Sequence, residues 1–90
     1  MRKDIKSKVI RRLKIIEGQI RGLQKMVENE SYCVDIITQS SAVKEALSGI
    51  EDLVLENHLS THVIEQIKGG KEDQAVKEIL KVYKLAQKKK

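Results

Sequence analysis

The chain has no proline, no phenylalanine and no tryptophan, and its only aromatic residues are Tyr32 and Tyr83 among 90. Without the large rings that usually dominate core burial, a chain of this length buries too little apolar surface to be generously stable alone. The composition therefore predicts one domain, residues 1–90, that takes part of its core from a second copy. Glycine is confined to Gly18, Gly22, Gly49, Gly69 and Gly70, so the punctuation of a strand-and-turn protein is nearly missing. A single cysteine, Cys33, excludes an intramolecular disulfide framework. No run comes near the roughly 18 consecutive apolar residues of a membrane span, and no apolar stretch with a small-residue cleavage site follows the basic N-terminus. The expected setting is the cytoplasm, with no membrane partner.

What the sequence does have is charge and helical periodicity. Eighteen Lys and Arg against thirteen Asp and Glu leave a formal charge of +5, which suits a polyanion and makes nucleic acid the first partner to consider. The cations crowd the start of the chain, at Arg2, Lys3, Lys6, Lys8, Arg11, Arg12 and Lys14. Multiplied by oligomerisation, that density would neutralise several phosphates, and binding would depend strongly on salt. No helix-turn-helix, zinc-finger or ribbon signature accompanies it.

Val9, Leu13, Ile16, Ile20, Leu23 and Val27 recur at three- and four-residue steps and predict a helix from about Lys3 to Asn29. Ser31 is the expected N-cap of a second helix, which carries Val34, Ile37, Ala42, Leu47, Ile50, Val54, Leu59 and Val63 and should end at Gly69 and Gly70. Glu72 and Asp73 suit the first turn of a third helix bearing Val76, Ile79, Leu80, Val82, Tyr83 and Ala86, with residues 87–90 as a solvated tail. The expected fold is all-α: an antiparallel hairpin with a short C-terminal helix laid on it. The surplus apolar stripe of the second helix would pair with a copy of itself in a symmetric assembly.

His58 and His62 are four residues apart, one turn of a helix, and can face one metal ion together. Cys33 precedes His58 by 25 positions, roughly 37 Å along a continuous helix at about 1.5 Å per residue. The three cannot meet within one chain. They can meet across a two-fold axis, where antiparallel pairing brings the start of one second helix beside the end of the other. One thiolate and two imidazoles suit Cu(I), with Zn(II), Co(II) and Ni(II) as alternatives, and do not suit Mg(II) or Ca(II). No nucleophile and base, phosphate loop or carboxylate pair is evident, so the sequence points to a binding protein with no small-molecule substrate rather than an enzyme. Besides a DNA-binding regulator, a metal buffer without an operator would use the same residues, and a helical interaction module would leave them idle.

The run Arg12-Leu13-Lys14-Ile15-Ile16-Glu17-Gly18-Gln19-Ile20-Arg21-Gly22-Leu23, then Met26, Tyr32-Cys33-Val34-Asp35, Gln39, Ala42-Val43, Asn57-His58-Leu59 and His62, resembles the CsoR/RcnR family of metal-sensing repressors across nearly the whole chain. The resemblance implies a homotetramer, a dimer of dimers, that binds operator DNA when empty and releases it when an inducer fills a site between subunits. It also implies that Cys33, His58 and His62 are the ligands. His62 stands where the copper branch often has a second cysteine and the nickel and cobalt branch has histidine. The latter also recruits an N-terminal histidine, and Met1, Arg2 and Lys3 offer none; the formaldehyde branch uses an N-terminal proline, here Arg2, and the persulfide branch needs a second cysteine. Tyr32 and Glu78 match a pair that is linked by hydrogen bonds to the ligand histidine. Arg12 matches a basic position used on DNA, and a second such position is Gly49 here, with Lys44 nearby as a substitute; Lys8, Arg11 and Lys14 complete the candidate DNA contacts. The expectation is a repressor released by Cu(I), with a nickel- or cobalt-responsive repressor as the alternative.

Overall fold

A computed structural model describes residues 1–87; of the expected tail at residues 87–90, Gln87 is helical and residues 88–90 lie outside the described residues. The first helix, α1, is Lys3–Glu28, and the second, α2, is Cys33–His58. A single π-helical stretch, Leu59–Val63, carries α2 without a break into α3, Ile64–Lys68. After Gly69 and Gly70 the chain forms α4, Glu72–Gln87. Among the described residues there is no strand, and no helix is long and apolar enough to cross a membrane. The second predicted helix thus has the expected limits, but its last third is not regular α-helix.

The chain divides into two compact units, Met1–Glu56 and Asn57–Lys90. In the first, Ile5, Val9 and Ile16 of α1 form a buried cluster with Val43 and Ile50 of α2, flanked by Leu23, Ala46 and Leu53. Steps of three, four and seven residues keep each set on one stripe of its helix, which is why two amphipathic helices close into a hairpin. A Cβ built on Gly49 would stand 3.6 Å from Arg12 Nη1, so the Arg12 side chain lies against α2 at that point.

The hairpin turn departs from expectation. The Ser31 N–H bonds the Met26 carbonyl at 2.9 Å and the Glu30 N–H bonds the Val27 carbonyl at 3.0 Å, with Glu30 in the left-handed region at φ 54°. This is a Schellman closure made without glycine. Ser31 is therefore used to end α1, and the N-cap position passes to Tyr32, whose carbonyl accepts the N–H groups of Asp35 and Ile36.

The periodic apolar residues do not all reach the interior. Leu13, Ile20, Val27, Val34, Leu47 and Val54 remain exposed, and Ile37 is 64% exposed. Each of two paired helices can bury one stripe against its single partner, and the rest of the apolar surface faces outward.

In the second unit, α3 ends in another Schellman closure. Gly70 takes φ 76°, its N–H bonds the Ile67 carbonyl at 3.1 Å, and the Lys71 N–H bonds the Gln66 carbonyl at 2.7 Å. Val63, Ala75 and Asn57 are buried here, whereas Ile64, Ile67, Val76, Ile79, Leu80, Val82, Tyr83 and Leu85 are exposed.

Candidate metal centre

His58 closes α2 and is half-buried. Its Nε2 stands 2.9 Å from Oε2 of Glu78, on α4. The same Glu78 oxygen accepts a bond from Gln66 Nε2 at 3.2 Å, and Oε1 accepts one from Gln74 Nε2 at 3.3 Å. These partners hold the Glu78 carboxyl below the ordinary glutamate range: the Gln66 amide contributes most, then Gln74, with burial opposing and His58 adding its share. An ionised Glu78 is an acceptor only, so the His58 nitrogen facing it carries the proton. In the neutral imidazole, Nδ1 is then the ring nitrogen that carries the lone pair.

His62 lies in the π stretch and is exposed, with its ring centroid 5.3 Å from that of His58 and the planes tilted by 49°. The two rings line an open depression with Glu65, Gln66, Gly69, Lys71 and Glu78. Imidazole nitrogens at this spacing can converge on one ion, with Glu78 orienting the first ring from behind.

Cys33 is an exposed free thiol at the opposite end of α2. Among the described residues no three His, Cys, Asp or Glu side chains come together in a metal-binding group within the chain. Tyr32 is 72% exposed and belongs to no core. Glu78, by contrast, is engaged with His58. The candidate DNA residues Lys8, Arg11, Arg12, Lys14 and Lys44 are all exposed.

Gln66 and Gln74 were not singled out from the sequence. The four-residue spacing of Gln74 and Glu78 on one helix was an available signal. Nothing in the sequence marks Gln66, which reaches Glu78 only because α3 turns back on α4.

Comparison with known proteins bears on this arrangement. Residues 5–84 match the metal-sensitive transcriptional repressor family. The chain is 48% identical over 79 residues to the copper-sensing transcriptional repressor CsoR of Bacillus subtilis, covering 88% of this chain and 78% of that one. It is 40% identical over 65 residues to the copper-sensing transcriptional repressor RicR of Mycobacterium tuberculosis, covering 72% and 68%. The crystal structure of the copper-sensing repressor CsoR with Cu(I) from Geobacillus thermodenitrificans superposes with a TM-score of 0.87 at 39% identity, over 97% of this chain and 91% of that one. The protein belongs to the metal-sensitive transcriptional repressor family, a family of regulators rather than enzymes.

Proposed function

We propose that this chain is a copper-responsive transcriptional repressor, acting as one functional unit over residues 1–90. On this reading it binds operator DNA when empty and releases it when Cu(I) is held by Cys33 of one protomer with His58 and His62 of another. The observation that carries the reading is the pair of neighbouring imidazoles, one of them oriented by the Glu78 contact at Nε2, in a chain that also carries a lone exposed thiol. Sulfur with imidazole is the soft donor set that favours Cu(I). The relatives named as copper sensors support the same metal.

Exposed Val34, Ile37, Leu47 and Val54 along α2 support an antiparallel pairing of two such helices, and the further apolar surface of α4 supports a dimer of dimers. The basic residues Lys8, Arg11, Arg12, Lys14 and Lys44 then form the DNA-facing surface, which places the protein's work in the cytoplasm beside the DNA. When bound, Cu(I) supplies a link between chains. His58 passes a change at Nδ1 to Glu78 through Nε2, and Glu78 passes it to α3 and α4 through Gln66 and Gln74. Linkage requires DNA to weaken Cu(I) binding by the factor with which Cu(I) weakens DNA binding.

Cys33→Ala tests the assignment. Gel shifts with a DNA fragment selected by the metal-free protein, with and without anaerobic Cu(I), should show a variant that binds DNA as wild type does but no longer lets go. Continued release by that variant would overturn the site. An octahedral Ni(II) spectrum with stronger release by Ni(II) than by Cu(I) would overturn the metal.

A further inference from the structure

The π stretch Leu59–Val63 begins directly after His58 and contains His62, and two side-chain contacts stand beside it. In an α-helix the carbonyl of residue 57 accepts the N–H of residue 61. Here the Thr61 hydroxyl donates to the Asn57 carbonyl at 2.6 Å and the Ser60 hydroxyl donates to it at 3.3 Å. Two side-chain hydroxyls thus compete with the backbone for one acceptor, a known way for Ser and Thr to deform a helix. Asn57 is only 3% exposed, so its carbonyl gains little from water and the two hydroxyls are its local alternatives.

The wider turn has a geometric consequence. Side chains four apart on an α-helix overshoot a full turn by about 40°. A π turn, with each N–H reaching five residues back, holds more than four residues, so the fourth falls short of a full turn instead. His62 is thereby swung to the other side of His58 from where a regular helix would put it. The observed rings stand 5.3 Å apart with their planes tilted by 49°.

We infer that Thr61, assisted by Ser60, is a positioning residue for the His58 and His62 pair: its hydroxyl holds the π turn that sets the spacing of the two rings. The inference rests on the copper reading for what the rings do, and on the turn alone for where they stand. Thr61→Val keeps the shape and β-branching but puts a methyl where an oxygen now approaches the carbonyl to 2.6 Å, a distance no methyl keeps. Thr61→Ser restores the hydroxyl.

The test uses the full chain, metal-free and then titrated anaerobically with Cu(I) against a chromogenic chelator. His58 and His62 are the only histidines, so a nuclear Overhauser cross-peak between their ring protons reads the spacing without metal. Wild type and Thr61→Ser should show the cross-peak. Thr61→Val should change the intensity of that cross-peak, because four-residue neighbours stay close on a regular turn but at another angle, and should bind Cu(I) at least tenfold more weakly, with helicity and assembly state unchanged. Ser60→Ala should shift both readouts less and in the same direction, and serves as the second variant should Val at 61 disturb folding. A cross-peak of wild-type intensity in both Thr61→Val and Ser60→Ala overturns the inference, as does weakened Cu(I) binding with that intensity unchanged. A cross-peak altered in Thr61→Val and restored in Thr61→Ser, in a protein that takes up no Cu(I) in any form, upholds the turn and overturns the copper reading.

Discussion

The hairpin unit, Met1–Glu56, and the unit that follows it, Asn57–Lys90, are held together by different means. In the first, five Ile and Val side chains from α1 and α2 make one buried cluster, and two ion pairs lie within α1 and its start: Arg2 meets Asp4 two residues on, and Arg21 meets Glu17 one turn back. In the second, the buried apolar residues are few, and the tertiary tie between α3 and α4 is polar, with Gln66 and His58 both bonded to Glu78. Hydrocarbon packing is indifferent to a bound ion, whereas a carboxylate shared among an imidazole and two amides responds to any change at the imidazole. A unit held by hydrocarbon packing and a unit tied by polar contacts are therefore separated along the chain.

The sharpest way to break that contrast is in the hairpin core. Ile16→Ala should cost about 2–5 kcal/mol, the usual range for emptying a buried aliphatic site. Val63→Ala, at the buried apolar residue of the second unit, removes less hydrocarbon and should cost less. Urea unfolding of both variants, compared at matched protein concentration, checks the order; equal losses would mean that the second unit has its own hydrocarbon core.

Next in size is Glu78→Gln, which keeps the shape but removes the charge opposite His58. Groups that orient a ligand histidine are typically worth 10- to 100-fold in metal affinity, and a drop of that order is expected in chelator competition while hairpin stability stays at the wild-type value. An unchanged affinity would reduce the Glu78 contact to a surface pair.

The smallest effect belongs to the hairpin's own charges. The hydrogen bond from Arg2 holds the Asp4 carboxyl below its ordinary value, against the opposing pull of desolvation. A lowered carboxyl pKa contributes stability that is present above the unfolded value and is lost as pH falls through the folded one. Amide protection factors in the first turn of α1, corrected for the intrinsic pH dependence of exchange, should therefore fall on acidification through that range, and Asp4→Asn should remove that fall. Global unfolding should barely move, because the pair is exposed and local.

The helices themselves were legible because their causes are local. Apolar steps of three and four residues, Glu72 and Asp73 at a helix start, and Gly69 with Gly70 at a helix end act through neighbouring atoms, and the structure places helix limits within a residue or two of each. The turn at Glu30 was less legible because a left-handed residue other than glycine leaves no compositional mark. The π stretch had a trace in Ser60 and Thr61 following Asn57, but periodicity treats all helical residues alike and placed His58 and His62 on a regular turn.

By itself, then, the sequence determined an all-helical hairpin with too little core, an excess of positive charge, and one thiol with two imidazoles. These follow from composition and spacing, which no fold can alter. Tertiary structure alone decided which stripe of each helix is buried, which nitrogen of His58 faces Glu78, and that Gln66 shares Glu78 with it. Those outcomes depend on groups many residues apart competing for the same acceptor or the same buried face, and only the folded chain brings the competitors together.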